Sequence, residues 1–222
     1  MQTSADLSST PTAPVLLESL ADHFYRVAAD LYPCGETRSI LIAATNPGEG
    51  ASTVALNLAA ALSRNPARRV LLVDANVRTP QLHTLYGVSR TPGLSDLLQR
   101  PDSGVEAAVP VGDSGMHLLP AGTETANPIM LFEAATMQPL MQAWRQRFDA
   151  IVIDAAPLVR YPETLSLAAG TDGVVLVLEA ERTRQEVARA GQSLLERSQI
   201  PLCGTILNKK QHVIPQPIYR LL

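Results

Sequence analysis

A chain of 222 residues with 46% hydrophobic content has the size of one domain and enough apolar surface to bury its own core. Eighteen Lys and Arg against 21 Asp and Glu give a formal charge of −3. The basic residues form no stripe, which argues against a nucleic-acid surface.

No run approaches the roughly 18 apolar residues of a membrane-spanning helix. The N-terminus, MQTSADLSSTPTAP, lacks the basic and apolar regions of a signal peptide. The expectation is a cytoplasmic chain without direct membrane insertion, brought to the inner face of a membrane only by a partner. Cys34 and Cys203 lie far apart, with no CxxC or Cys/His spacing. They are expected to be small buried thiols rather than zinc or redox ligands.

In chain order, residues 1–14 are rich in Ser, Thr, Ala and Pro and read as a disordered tail. Residues 15–210 read as the domain, and 211–222, with two prolines, as an irregular tail. Leu16, Leu20, Phe24, Val27 and Leu31, spaced by three and four, predict an amphipathic helix that ends before Pro33 and Gly35. Apolar runs at 39–44, 69–74, about 117–119, within DAIVIDAAP, at 173–179 and at 203–208 predict six strands. Helical patterns lie between them. One, over residues 127–148, is expected to be interrupted or bent near Pro139; another, over 183–199, is a crossover helix. Strands that are apolar on both faces and alternate with helices predict an α/β fold: a mostly parallel sheet with helices on both faces.

The segment AATNPGEGASTVALNLA follows the first strand and opens the next helix, where a phosphate loop belongs. Gly48 and Gly50 let the backbone approach an anion, and a helix N-terminus favours one. A working loop adds a lysine for the β- and γ-phosphates and a hydroxyl for magnesium. Here Ala51 takes the lysine position, followed by Ser52 and Thr53. Alone, the segment is equally compatible with a glycine-rich turn that holds no ligand. Two acidic motifs change that balance. RVLLVDANVRTP ends a buried run in Asp74, and FDAIVIDAAP ends another in Asp154, three residues before Pro157. Carboxylates at the C-terminal ends of parallel strands face the crevice where such sheets bind ligands. Asp74 and Asp154 are therefore the candidate catalytic residues, and Ser52, Asp74 and Asp154 the candidate magnesium ligands.

Pro47-Gly48-Glu49-Gly50-Ala51-Ser52, Leu72-Val73-Asp74-Ala75-Asn76-Val77-Arg78-Thr79-Pro80, Asp154-Ala155-Ala156-Pro157, GLSDLL and GTILN together resemble the bacterial tyrosine kinases of capsule and exopolysaccharide synthesis, P-loop proteins related to the Min and Par ATPases. The resemblance runs from about Ser39 to Lys209. It implies a P-loop NTPase fold, with ATP or ADP and magnesium as cofactors. It also implies a nucleotide site at Gly48, Glu49, Gly50, Ala51, Ser52 and Thr53, with Asn208 at the adenine edge. The implied partner is a membrane polysaccharide co-polymerase or chain-length protein. The oligomeric state is not implied.

The departures from the family pattern point one way. Ala51 removes the loop cation, and Lys209 and Lys210, the only lysines, follow the adenine-side strand and are not expected to replace it. Asn76 stands for a second aspartate and cannot act as a base. The tail offers Tyr219 alone instead of a tyrosine cluster, and the first helix keeps only His23 and Arg26 of a ring-assembly motif. These losses predict a pseudokinase that binds nucleotide weakly or not at all. The alternatives are an active autokinase with Arg78 or a partner's basic residue supplying the missing charge, and a scaffold that never binds nucleotide. A Min- or Par-type positioning ATPase is a further alternative, but Asn46 replaces that group's additional lysine.

Overall fold

The computed structural model describes residues 18–100, 107–112 and 115–210. Both tails, Leu16 and Tyr219 therefore lie outside the described residues. The elements are α1 (Glu18–Leu31), β1 (Arg38–Ala44), α2 (Ala51–Ser63), β2 (Val70–Asp74), α3 (Leu82–Tyr86), α4 (Leu94–Gln99), β3 (Val109–Pro110), β4 (Met116–Leu119), α5 (Pro128–Leu131), α6 (Ala134–Arg147), β5 (Ala150–Asp154), α7 (Glu163–Ala168), β6 (Gly173–Glu179), α8 (Gln185–Arg197) and β7 (Leu202–Asn208). They form one sheet in the order β3-β4-β2-β5-β1-β6-β7. Every pairing is parallel except β3 with β4.

Alternation along the strands explains the two cores. Ile40, Ile42, Val70, Leu72, Val152 and Val175 face one layer, where they meet α1 and α2. Leu41, Leu71, Val73, Ile151, Ile153 and Val174 face the other, against Trp144, Phe148 and Leu195 from α6, its C-terminal end and α8. A strand with helices on both sides has no solvent face, so its sequence is apolar at every position rather than every second one. The six expected strands are present. The additional strand, β3, is two residues long and too short to leave a pattern.

Three expectations need correction. The helical segment after Asn127 breaks at Phe132–Glu133, between α5 and α6, and Pro139 sits within α6. Phe132, at the break, is not helical and is buried in the core, 2% exposed. Leu20, in the first turn of α1, is 40% exposed, whereas Ala28 and Leu31 are buried and Phe24 and Val27 pack against α2's layer. Cys34 and Cys203 are exposed, not buried. Cys203 lies on β7, and that strand is the sheet's edge, where alternate side chains point outward. No helix among the described residues is long and apolar enough to cross a membrane.

Candidate functional site

The crossover from β1 runs to β2 on one side, and that from its neighbour β5 runs past β1 to β6 on the other, so the two diverge and open a crevice at the ends of β1 and β5. The loop from Thr45 to Gly50 fills the floor of that crevice. Gly48 (φ 85°) and Gly50 (φ 96°) adopt the left-handed conformation that side-chain-bearing residues avoid. At Gly50 the requirement is also steric, since a Cβ would collide with the side chain of Asn208. Above the loop lies a cavity of about 490 Å³, within the usual size range of small-molecule sites. Gly48, Gly50, Ala51, Ser52 and Thr53 line it, together with Asn76, Arg160, Tyr161 and Lys209.

Glu49 is placed differently. Its carboxylate turns beneath the loop and is almost fully buried. It accepts hydrogen bonds from the Thr45 and Asn46 backbone N–H groups at 2.8 and 2.9 Å, and from the Thr183 hydroxyl at 2.6 Å. Burial alone would raise its pKa, but the donors Thr183, Asn46 and Thr45 outweigh it and hold the carboxyl below its ordinary value. Glu49 is thus a brace for the loop, and its side chain does not line the cavity. Asn208 ties the loop from above: its Nδ2 donates to the Glu49 carbonyl at 2.9 Å.

Asp74 and Asp154 end adjacent parallel strands in register with each other. Both are buried, and each has one carboxylate oxygen, Oδ1, without a hydrogen-bond partner. Asp74 accepts from the backbone N–H of Leu82 at 3.1 Å through its other oxygen. Burial lifts the Asp74 carboxyl to about 6, against the opposing pull of that hydrogen bond. Burial, and then the neighbouring charge of Asp74, pushes Asp154 well above the carboxylate range, opposed by a hydrogen bond from Ser52. Asn76 accepts from the Thr79 N–H and hydroxyl, both at 3.3 Å, so its side chain closes a turn at the cavity wall.

Arg78 is committed elsewhere. Its Nε pairs with the buried carboxylate of Glu163, and its guanidinium stacks 4.5 Å over the Tyr161 ring. It does not line the cavity. The cations that do are Lys209 and Arg160. Lys209, not expected to replace the loop lysine, does reach the loop: its Nζ donates to the Gly48 carbonyl at 2.6 Å. Arg160 and Tyr161, three and four residues after Pro157, had no signal of their own in the sequence.

A profile of ParA-type proteins, described as NUBPL iron-transfer P-loop NTPases, matches residues 36–219. The tyrosine-protein kinase YwqD of Bacillus subtilis (strain 168) is 30% identical over 176 residues, 79% of this chain and 74% of YwqD. The chain belongs to the bacterial tyrosine kinase family. The family's tyrosine-protein kinase CpsD from Streptococcus agalactiae is 28% identical, covering 85% of this chain and 82% of CpsD. Some relatives are longer: the chain spans 22% of the putative tyrosine-protein kinase EpsB from Ralstonia nicotianae. Among solved structures, the VpsO kinase domain superposes with a TM-score of 0.79 at 29% identity, over 87% of this chain and 95% of that one. The kinase domain of the Escherichia coli tyrosine kinase ETK reaches 0.82 at 19% identity, over 96% of this chain and 88% of that one, a likeness of fold.

The bacterial tyrosine kinase fold implies nucleotide with magnesium, and the residues present fit the metal. Asp74 and Asp154, buried with unpartnered oxygens but not on the cavity lining, and the Ser52 hydroxyl, which is on it, offer oxygen donors. Among the described residues no group of three or more His, Cys, Asp or Glu side chains forms a metal cage. A sparse set of oxygen donors suits magnesium, which keeps waters and phosphate oxygens as its other ligands.

Proposed function

We propose that this chain is a nucleotide-binding pseudokinase of polysaccharide synthesis or export, which regulates a membrane chain-length or export protein by docking on it. The observation that carries the reading is the pairing of Ala51 with Ser52 on the cavity lining: the loop's phosphate cation is gone while its metal-side hydroxyl stays, near enough to Asp154 to oppose the rise in its pKa. The amide cradle of Gly48 and Gly50 would hold the polyphosphate, and Ser52, Asp74 and Asp154 would hold magnesium. Bound magnesium would neutralise charge on the phosphate oxygens.

What is missing is transition-state stabilisation. Loss of one charged donor that acts on developing charge typically costs on the order of a hundred- to a thousand-fold in rate. Asn76, bound into the Thr79 turn, has no capacity to take a proton. The active-kinase reading needs a substitute for the lysine, and Arg78, engaged by Glu163 and Tyr161, is poorly placed to be one. The membrane partner is supported only by kinship with the bacterial tyrosine kinase family.

Calorimetric titration with ADP and ATP in the presence of magnesium, alongside a phosphotransfer assay, tests the reading. Binding without phosphotransfer is expected. Robust magnesium-dependent autophosphorylation of the wild-type chain overturns the pseudokinase assignment, and failure to bind either nucleotide overturns the cofactor.

A further inference from the structure

Ala51 leaves the loop without a cation, yet the cavity wall carries two. Its ionisable residues are Lys209 and Arg160 plus the phenol of Tyr161, and no carboxylate lines it, in a chain whose acidic residues outnumber its basic ones. Lys209 reaches the loop by an uncommon route. It follows β7 with φ 56°, a left-handed conformation rare for residues other than glycine, which turns the chain back over the crevice. Asn208, one residue earlier, is pinned to the Glu49 carbonyl at 2.9 Å. The Lys209 ammonium donates to the Gly48 carbonyl at 2.6 Å and to Glu179 Oε2 at 3.1 Å. An ammonium has three N–H donors, so one is left for a ligand in the cavity. Arg160 arrives from the opposite side of β1, after β5. Its guanidinium lies 5.5 Å from the Tyr161 ring and makes no ion pair among the described residues.

We infer that this cavity is a polyphosphate site in which Lys209 and Arg160, delivered from either side of β1, supply the positive charge that Ala51 withholds. The inference rests on the nucleotide-binding reading above and adds the residues that make binding possible without a loop lysine. A di- or triphosphate lying on the Gly48–Ser52 amides would meet a cation on each flank. Each contact would be charge-assisted, with Lys209 shared between the ligand and Glu179.

The test is calorimetric titration of magnesium-ADP into the full chain at about 150 mM salt, where exposed charges are screened beyond roughly 8 Å. Lys209→Gln and Arg160→Gln are each expected to weaken binding about tenfold, as loss of one charge-assisted hydrogen bond does. Lys209→Arg and Arg160→Lys, which keep the charge, are expected to retain most of it, and Lys210→Gln all of it. Adding Ala51→Lys to the Lys209→Gln/Arg160→Gln pair is expected to restore the affinity. Thermal melts of each variant show whether it is folded. If the wild-type chain binds and the double Gln variant binds equally well, this inference is overturned and the nucleotide reading stands. If the wild-type chain binds neither ADP nor ATP, the nucleotide reading falls first and this inference with it.

Discussion

The side-chain amide of Asn208 occupies the space that a Cβ on Gly50 would need, and its Nδ2 bonds the carbonyl of Glu49 beside it. The end of the edge strand β7 is thereby locked onto the phosphate loop, 159 residues away in the chain. Gly50→Ala meets two obstacles at once, the left-handed backbone at φ 96° and the Asn208 amide. Such strain costs about 1–3 kcal/mol. Urea unfolding is expected to register a loss of that size. Asn208→Ala, combined with Gly50→Ala, should recover part of it by removing the collision. Additive losses would show that the contact has no energetic meaning.

The buried pair Asp74 and Asp154 predicts an uncommon result for a core substitution. Each carries an oxygen without a partner, and the two charges repel across adjacent strands. Asp154→Asn keeps an acceptor for Ser52 and removes one of the charges. Without metal its unfolding free energy is expected to match or exceed that of the wild type. The ability of magnesium to raise the melting temperature of the nucleotide-loaded protein should fall. A loss above about 1 kcal/mol in the metal-free protein, the ordinary cost of a deleted buried hydrogen bond, would contradict this account.

Arg78 is expected to matter for stability more than for phosphate binding. Its partner Glu163 is 2% exposed and already has one oxygen, Oε2, without a hydrogen bond. Removing the arginine would strand that carboxylate, which costs about 3–5 kcal/mol for a fully buried pair. The Arg78 side chain is 32% exposed, so solvent screening lowers the expected loss to about 2 kcal/mol. Arg78→Met with Glu163→Gln should be milder than Arg78→Met alone in chemical denaturation. Nucleotide affinity measured on the folded single variant should change little.

Glu49 gives the pH dependence its sign. Its folded pKa lies below the ordinary 4.5, so the unfolded chain binds the proton more readily. The stabilisation from Glu49 is therefore present in full above pH 4.5 and is lost as pH falls through the lower folded value. Glu49→Gln breaks up the set of donors from Thr45, Asn46 and Thr183, at a cost of about 2 kcal/mol, the scale of a hydrogen bond to a charged group. Urea titrations of both proteins should show a constant gap at neutral pH that narrows only in the acid range below 4.5. A gap that widened on acidification would reverse the assignment.

The strands, the loop and the two aspartates were legible in the amino-acid order because each is a local pattern. Doubly covered strands read as unbroken apolar runs, left-handed turns call for glycine, and Asp74 and Asp154 mark the C-terminal ends of β2 and β5. Family kinship was legible for the same reason, as short motifs with fixed internal spacing. What lines the site was not, because it depends on which distant segments the strand order brings together. Lys209 meets Gly48 across 161 residues, Glu49 meets Thr183 across 134, and Arg78 meets Glu163 across 85. No local pattern records such pairings, since long side chains turn toward whatever partner the sheet places beside them. The exposure of Cys203 has the same origin: only the sheet order makes β7 an edge. The sequence by itself determined that a phosphate loop without its lysine follows β1. Only the tertiary structure decided that two other cations stand over it.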